Sequence, residues 1–145
     1  MGPMQHEELT RAIIGCAMIV HRALGPGFLE SVYQNALAWE LGSAGIAFEC
    51  ERRLAVRYRD AIVGEFVADM VVGGVILIEN KAVGALSRAH EVQLVNYLTA
   101  TGIEIGLLIN FGADRLAIKR KVRAQRGTAT AFDRITADNS SDNYG

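Results

Sequence analysis

Three charged side chains set inside apolar strand sequence constrain this chain more than any other feature. Ala61-Ile62-Val63-Gly64-Glu65-Phe66-Val67-Ala68 leads up to Asp69, and Val75-Ile76-Leu77-Ile78 leads into Glu79-Asn80-Lys81. Successive strand residues face opposite sides, so Glu79 and Lys81 share one face while Asn80 points to the other. Burying an ion costs several kcal/mol unless it is paired or coordinates a metal. Two carboxylates brought together also repel, and a divalent cation resolves that repulsion. A lysine beside them can stabilise negative charge developing on a phosphate.

Whether the two acids meet depends on register. A two-residue turn at Gly73-Gly74 pairs Asp69 with Ile78 and sends the acids to opposite faces, leaving an exposed hairpin that carries a Glu–Lys pair. A three-residue loop, Gly73-Gly74-Val75, pairs Asp69 with Glu79, and glycine supplies the left-handed position such a loop needs. We expect the three-residue loop or an equivalent bulge.

The coarse element order is two helices, a three-strand meander, one helix and two more strands. Leu9, Ile13, Ala17 and Val20 recur at a helical period across 6–23, and Leu24-Gly25-Pro26-Gly27 stops that helix. A second helix is expected from about Leu29 to Ser43, ended by Gly42 or Gly45. Strands follow at 47–58, 61–72 and 75–82. Ser87 is the expected N-cap of a third helix that Gly102 stops. Glu104 to Asn110 reads as a buried strand and Leu116 to Val122 as an amphipathic one. This order predicts an α/β fold, a mixed central sheet flanked by helices.

A chain of 145 residues, half of them hydrophobic, suits one compact domain, placed at 6–126. Residues 1–5 read as an N-terminal extension, with Met1-Gly2-Pro3 a vector-derived leader before a native Met4, and 127–145 as a polar, flexible tail. No apolar run approaches the roughly 18–20 residues of a membrane span. No signal peptide is visible at the N-terminus. Cys16 and Cys50 lack disulfide or zinc-ligand spacing, so the expected location is the reducing cytoplasm. Oligomerisation as a homodimer is compatible with the sequence.

The net charge of −1 argues against strong nonspecific binding to nucleic acid. The average conceals a split: 1–126 carry 14 Lys+Arg against 13 Asp+Glu, and the tail carries Arg134 against Asp133, Asp138 and Asp142. Two basic runs lie in the body, Arg52-Arg53 with Arg57 and Arg59, and Lys119-Arg120-Lys121 with Arg123 and Arg126. They serve either as solvated edge-strand faces or, on a nucleic-acid enzyme, as phosphate contacts. Glu30 and Tyr33 share one helix face, as do His90, Gln93 and Tyr97. His21 and His90 are open to proton transfer or to holding a helix in place.

Gly27-Phe28-Leu29-Glu30-Ser31-Val32-Tyr33 carries a Gly-x-x-Glu-x-x-Tyr signature. With His21 to Gly27, Ala68-Asp69, Ile78-Glu79-Asn80-Lys81-Ala82, His90 to Leu98 and Gly106 to Gly112, the chain resembles the GxxExxY family, a branch of the PD-(D/E)XK nuclease superfamily, over roughly residues 6 to 123. One departure is Asn80, where that family more often has an apolar residue; its side chain therefore needs a partner under the helices. The resemblance implies a restriction-endonuclease-like core and a metal-dependent nuclease. Asp69, Glu79 and the backbone carbonyl of Asn80 would hold Mg²⁺, with Mn²⁺ as a substitute, and Glu30 would act directly or through a water. Lys81 would position the attacking water or stabilise the phosphoryl charge. Gln93 and Tyr97 would orient water, Lys81 or substrate, and Arg52, Arg53, Lys119, Arg120 and Lys121 would contact nucleic acid. A non-cleaving nucleic-acid-binding module and an accessory protein acting through protein contacts are the two rival readings.

Overall fold

The structure, a computed structural model, describes residues 6–123. The expectations for 1–5, Arg126 and 127–145 lie outside the described residues. Helix α1 (His6–Leu24) buries Leu9, Ile13, Ala17 and Val20, the residues whose spacing marks its apolar stripe. Helix α2 (Glu30–Ser43) adds Tyr33, Leu37 and Leu41 on the same side of the sheet. The sheet has five strands, β1 (Phe48–Tyr58), β2 (Ala61–Val72), β3 (Ile76–Lys81), β4 (Ile105–Asn110) and β5 (Ala117–Val122), in spatial order β1-β2-β3-β4-β5. Among the described strands only β3 and β4 run parallel. A parallel pair needs a crossover, and helix α3 (Arg88–Thr101) supplies it.

Two cores result, one on each sheet face. Met70, Val72, Ile76, Ile78, Leu107 and Ile109 pack under α1 and α2, and Ala68, Val71, Leu77 and Leu108 pack under α3 with Leu94 and Leu98. Strands β3 and β4 are buried on both faces, which explains their unbroken apolar runs. Each fully buried Leu or Ile here contributes about 1.5–3 kcal/mol. The boundaries fall within about a residue of the sequence expectation. Ser87 caps α3, accepting from the N–H of His90 while its own N–H donates to His90 Nδ1, and Gly102 ends the helix. Among the described residues no helix is long and apolar enough to cross a membrane. Both cysteines are free thiols, Cys16 buried and Cys50 exposed.

Candidate active site

The three-residue loop is the one that forms. Met70 lies opposite Ile78, Val71 opposite Leu77 and Val72 opposite Ile76, leaving Gly73, Gly74 and Val75 to turn the chain. Both glycines have positive φ, and the N–H of Val75 closes the turn on the carbonyl of Val72 at 3.1 Å. Continued by one step, this register sets Asp69 against Glu79. There the ladder stops and side chains replace it: Asn80 N–H donates to Asp69 Oδ2 at 2.7 Å, and Asp69 N–H makes a long contact of 3.4 Å to Glu79 Oε1.

The ladder also breaks on the other flank of Asp69. Strand β1 pairs Cys50 with Met70 and Arg52 with Ala68 but omits Glu51, which adopts φ 52. A left-handed glutamate inside a strand is strained, and an irregularity of this kind re-aims neighbouring side chains without shifting the register. Its effect is visible in the packing. Phe66 and Ala68 face α3 whereas Met70 and Val72 face α1 and α2, so the alternation of β2 inverts across Asp69. Asp69 is thereby released from both neighbours and points its carboxylate at the start of Asn80.

The resulting electrostatics are uncompensated. Glu79 is 8% exposed, and its carboxyl is pushed up to about 8, first by burial and then by the charge of Asp69. The Asp69 N–H and Lys81 pull it down without prevailing. Burial likewise raises Asp69, against the opposing effect of the Asn80 N–H and Lys81, and Glu51 adds to the rise. Glu30, the first residue of α2, is raised by its desolvation and by Asp69, while Lys81 and His90 act the other way. Tyr97 is raised by burial and by Glu79 and Asp69. Four groups from β2, β3, α2 and α3 therefore meet electrostatically around Asp69, and Lys81 is the cation shared by the three carboxyls.

The loop before Glu30 is held from inside. Tyr33, fully buried and stacked on Phe111 with centroids 4.9 Å apart, donates its hydroxyl hydrogen to the Gly25 carbonyl at 2.5 Å and accepts the N–H of Phe28 at 3.1 Å. The tyrosine of the Gly-x-x-Glu-x-x-Tyr signature is thus a latch that sets where α2 starts, and through it where Glu30 stands. Tyr97 stacks on Phe66 at 3.7 Å, and Gln93 lies one turn before it on the exposed side of α3. His21 and His90 both hold structure: His21 Nε2 bonds the Ala113 carbonyl at 2.8 Å, and His90 caps α3.

Sequence reasoning missed three participants. Asn110, fully buried, accepts the N–H groups of Val83 and Gly112 and donates to the Val83 carbonyl, while Phe111 N–H reaches the carbonyl of Lys81. This clamp fixes the chain as it leaves Lys81. Gly112 belongs to it, because a Cβ there would meet Val83 N at 2.4 Å. Glu51 is the third, and no local signal betrays it, since its place opposite Asp69 depends on a register shift between Val56 and Arg57.

Asn80 finds only part of the partnership it needs. Its side-chain N–H lies 3.7 Å from Met70 Sδ, and Oδ1 has no partner among the described residues. A buried unsatisfied acceptor costs about 1–3 kcal/mol. The basic runs are not single patches either. Lys119 and Lys121 face α3, where Lys121 pairs with Glu91 at 2.6 Å, and Arg120 lines a cavity beside α1. Arg52 pairs with Glu49 and borders a hollow near Gly74 and Gly102, and Arg53 alternates to the opposite, exposed face.

As a metal donor set this end of the sheet is all oxygen. Among the described residues no group of three or more His, Cys, Asp or Glu side chains forms a metal-binding cluster. Magnesium does not require one, since it is commonly held by one or two carboxylates and keeps several waters. Asp69, Glu79 and the Asn80 carbonyl fit that habit, and without nitrogen or sulfur they do not fit zinc.

No curated protein matches the sequence. Among solved structures, the crystal structure of SSO0001 superposes with a TM-score of 0.55 at 19% identity, covering 80% of this chain and 59% of that one. The chain thus spans about three-fifths of the length of SSO0001, and the likeness speaks for the fold alone. A family profile described as PD-(D/E)XK nuclease superfamily matches residues 7–123, a span that holds Glu30, Asp69, Glu79, Lys81 and Tyr97. The chain belongs to the PD-(D/E)XK nuclease superfamily.

Proposed function

We propose that this protein hydrolyses phosphodiester bonds of nucleic acid with the help of a divalent cation. The observation that carries the reading is the buried pair Asp69 and Glu79. Two carboxylates are turned toward each other where burial raises both, and Lys81 does not neutralise them. At neutral pH Glu79 keeps its proton, and a cation entering between the two acids would displace it and pair with both.

Asp69, Glu79 and the Asn80 carbonyl would hold Mg²⁺ or Mn²⁺. Bound there, the ion would supply Lewis-acid stabilisation of the phosphoryl oxygens and an acidified water. The chain's own groups do the rest. Lys81, beside both acids on β3, places a positive charge where the transferred phosphoryl group accumulates negative charge. Glu30, raised but still open to solvent, can accept a proton from water at its carboxylate. Tyr97, on α3 and within electrostatic reach of both acids, would donate its hydroxyl hydrogen to a substrate oxygen. Gln93, one turn away and exposed, would bind substrate at the rim.

The test is a cleavage assay on single- and double-stranded DNA and RNA with Mg²⁺, Mn²⁺ or EDTA, with Lys81→Ala as the impaired comparison. Cleavage that needs metal and is weakened in the variant supports the reading. Tight binding without cleavage under every condition would leave a binding module, and neither binding nor cleavage would favour a protein-interaction role.

A further inference from the structure

A second cavity, of about 780 Å³, opens between α1, the β4–β5 loop and β5. Met18, Leu116 and Ile118 give it an aliphatic floor, and Arg22, Arg115 and Arg120 stand around it. These arginines come from three separate elements, and among the described residues none of them has an ion-pair partner within 4 Å. Among the described residues Asp114 is the single acid on the lining, so their rim carries a surplus of positive charge. All three are exposed, so water screens their mutual repulsion, and an anion entering among them would take the place of that water with paired guanidinium donors.

The cavity also adjoins the candidate active site through the backbone. Gly25 and Pro26 line it, and the loop they begin ends four residues after Pro26 at Glu30. Tyr33 pins that loop at both Gly25 and Phe28, so cavity and site are joined by a fixed segment.

We propose that this cavity holds an unpaired nucleotide of the nucleic-acid strand, flanking the one that is cut. Its volume lies within the range of small-ligand pockets. A base would lie against Met18, Leu116 and Ile118 or under an arginine plane, and the phosphate would take the bidentate donors of Arg22, Arg115 and Arg120. A base locked in a duplex stack cannot enter, so the cavity selects single-stranded or frayed substrate. The assignment rests on the nucleic-acid substrate proposed above, though not on cleavage.

The test is binding in EDTA, where cleavage is suspended, of short fluorescein-labelled oligothymidylate and oligouridylate, followed by anisotropy across a salt series. Removing two phosphate contacts in Arg22→Ala/Arg120→Ala should cost about twentyfold in affinity near 0.1 M salt and flatten the log–log salt slope by about 1.4. Met18→Glu, at a position 46% exposed on α1, should weaken binding without lowering Tm. Arg11→Ala, an exposed cation elsewhere on α1, should change little. A duplex of equal phosphate content should compete poorly. Variants that bind like wild type, or Arg11→Ala as damaging as the double variant, would overturn the assignment while leaving the nuclease reading intact. Wild type that binds neither oligonucleotide would overturn it too, and the cleavage panel then decides the nuclease reading separately. Cavity-dependent binding with no cleavage anywhere would uphold the cavity and sink the nuclease.

Discussion

Glu79→Gln should make the metal-free protein more stable, and by an amount that depends on pH. The carboxyl of Glu79 lies near 8 in the fold against an ordinary value of 4.5. Below about pH 4.5 it is protonated in both states and contributes no penalty. As pH rises, the unfolded chain releases this proton first while the folded chain retains it, so stability falls until pH passes about 8 and then levels off. A difference of this size has a ceiling of about 5 kcal/mol. Relaxation and water at the rim screen part of it, so about 2–3 kcal/mol is the working figure. For a chain of this length that is roughly 8–12 °C in Tm. Glutamine keeps an oxygen for the Asp69 N–H but cannot ionise, so the variant should lose the Glu79 share of the slope. The assay is calorimetric or fluorescence melting of both proteins in EDTA from pH 4.5 to 9. Adding Mg²⁺ should raise the wild-type Tm increasingly with pH, by mass action on the ionised form, and leave the variant unmoved. A wild-type-minus-variant difference that stays constant across the window would refute the reasoning.

Lys81→Ala should lower turnover by about 10²–10³ with a smaller change in affinity, read by kcat and KM on any cleaved substrate, because its charge matters most as the phosphoryl group becomes more negative. Tyr97→Phe should hold unfolding free energy within about 0.5 kcal/mol, since the stack on Phe66 survives, and should reduce kcat through loss of the hydroxyl. Asn110→Ala should cost about 2–4 kcal/mol in urea unfolding by stranding the main-chain groups of Val83 and Gly112, and should lower kcat by loosening the exit from Lys81.

The site exists because the chain abandons regular pairing at one residue. A continuous ladder through Asp69 would satisfy its main chain from both neighbours and leave its side chain fixed by the pleat. Here the N–H of Asn80 is spent on a carboxylate instead, and Glu51 is held in a left-handed conformation opposite. Strain of this kind costs about 1–3 kcal/mol per residue and persists only where surrounding packing over-determines it. That packing is present, with Ala68, Met70, Ile78 and Leu108 essentially fully buried around the break.

What the sequence made legible follows from period and punctuation. Strand alternation with a glycine turn was enough to bring Asp69 to Glu79, and Ser87 and Gly102 bounded α3, because these signals act over a few residues. Features set by distant pairing were not legible. Glu51 meets Asp69 only because β2 carries one extra residue, Val63, where the register shifts between Val56 and Arg57, and the clamp of Asn110 joins positions 27 apart, too far for any local pattern to carry. The basic run 119–121 illustrates the same limit from the other side. Read along the chain it is one patch, yet a strand sends Lys119 and Lys121 toward α3 and Arg120 toward α1, where Arg22 and Arg115 arrive from elsewhere. The grouping of charges that a phosphate would meet is therefore a property of the sheet, and neutralising Arg120 should weaken binding together with Arg22 rather than with Lys121.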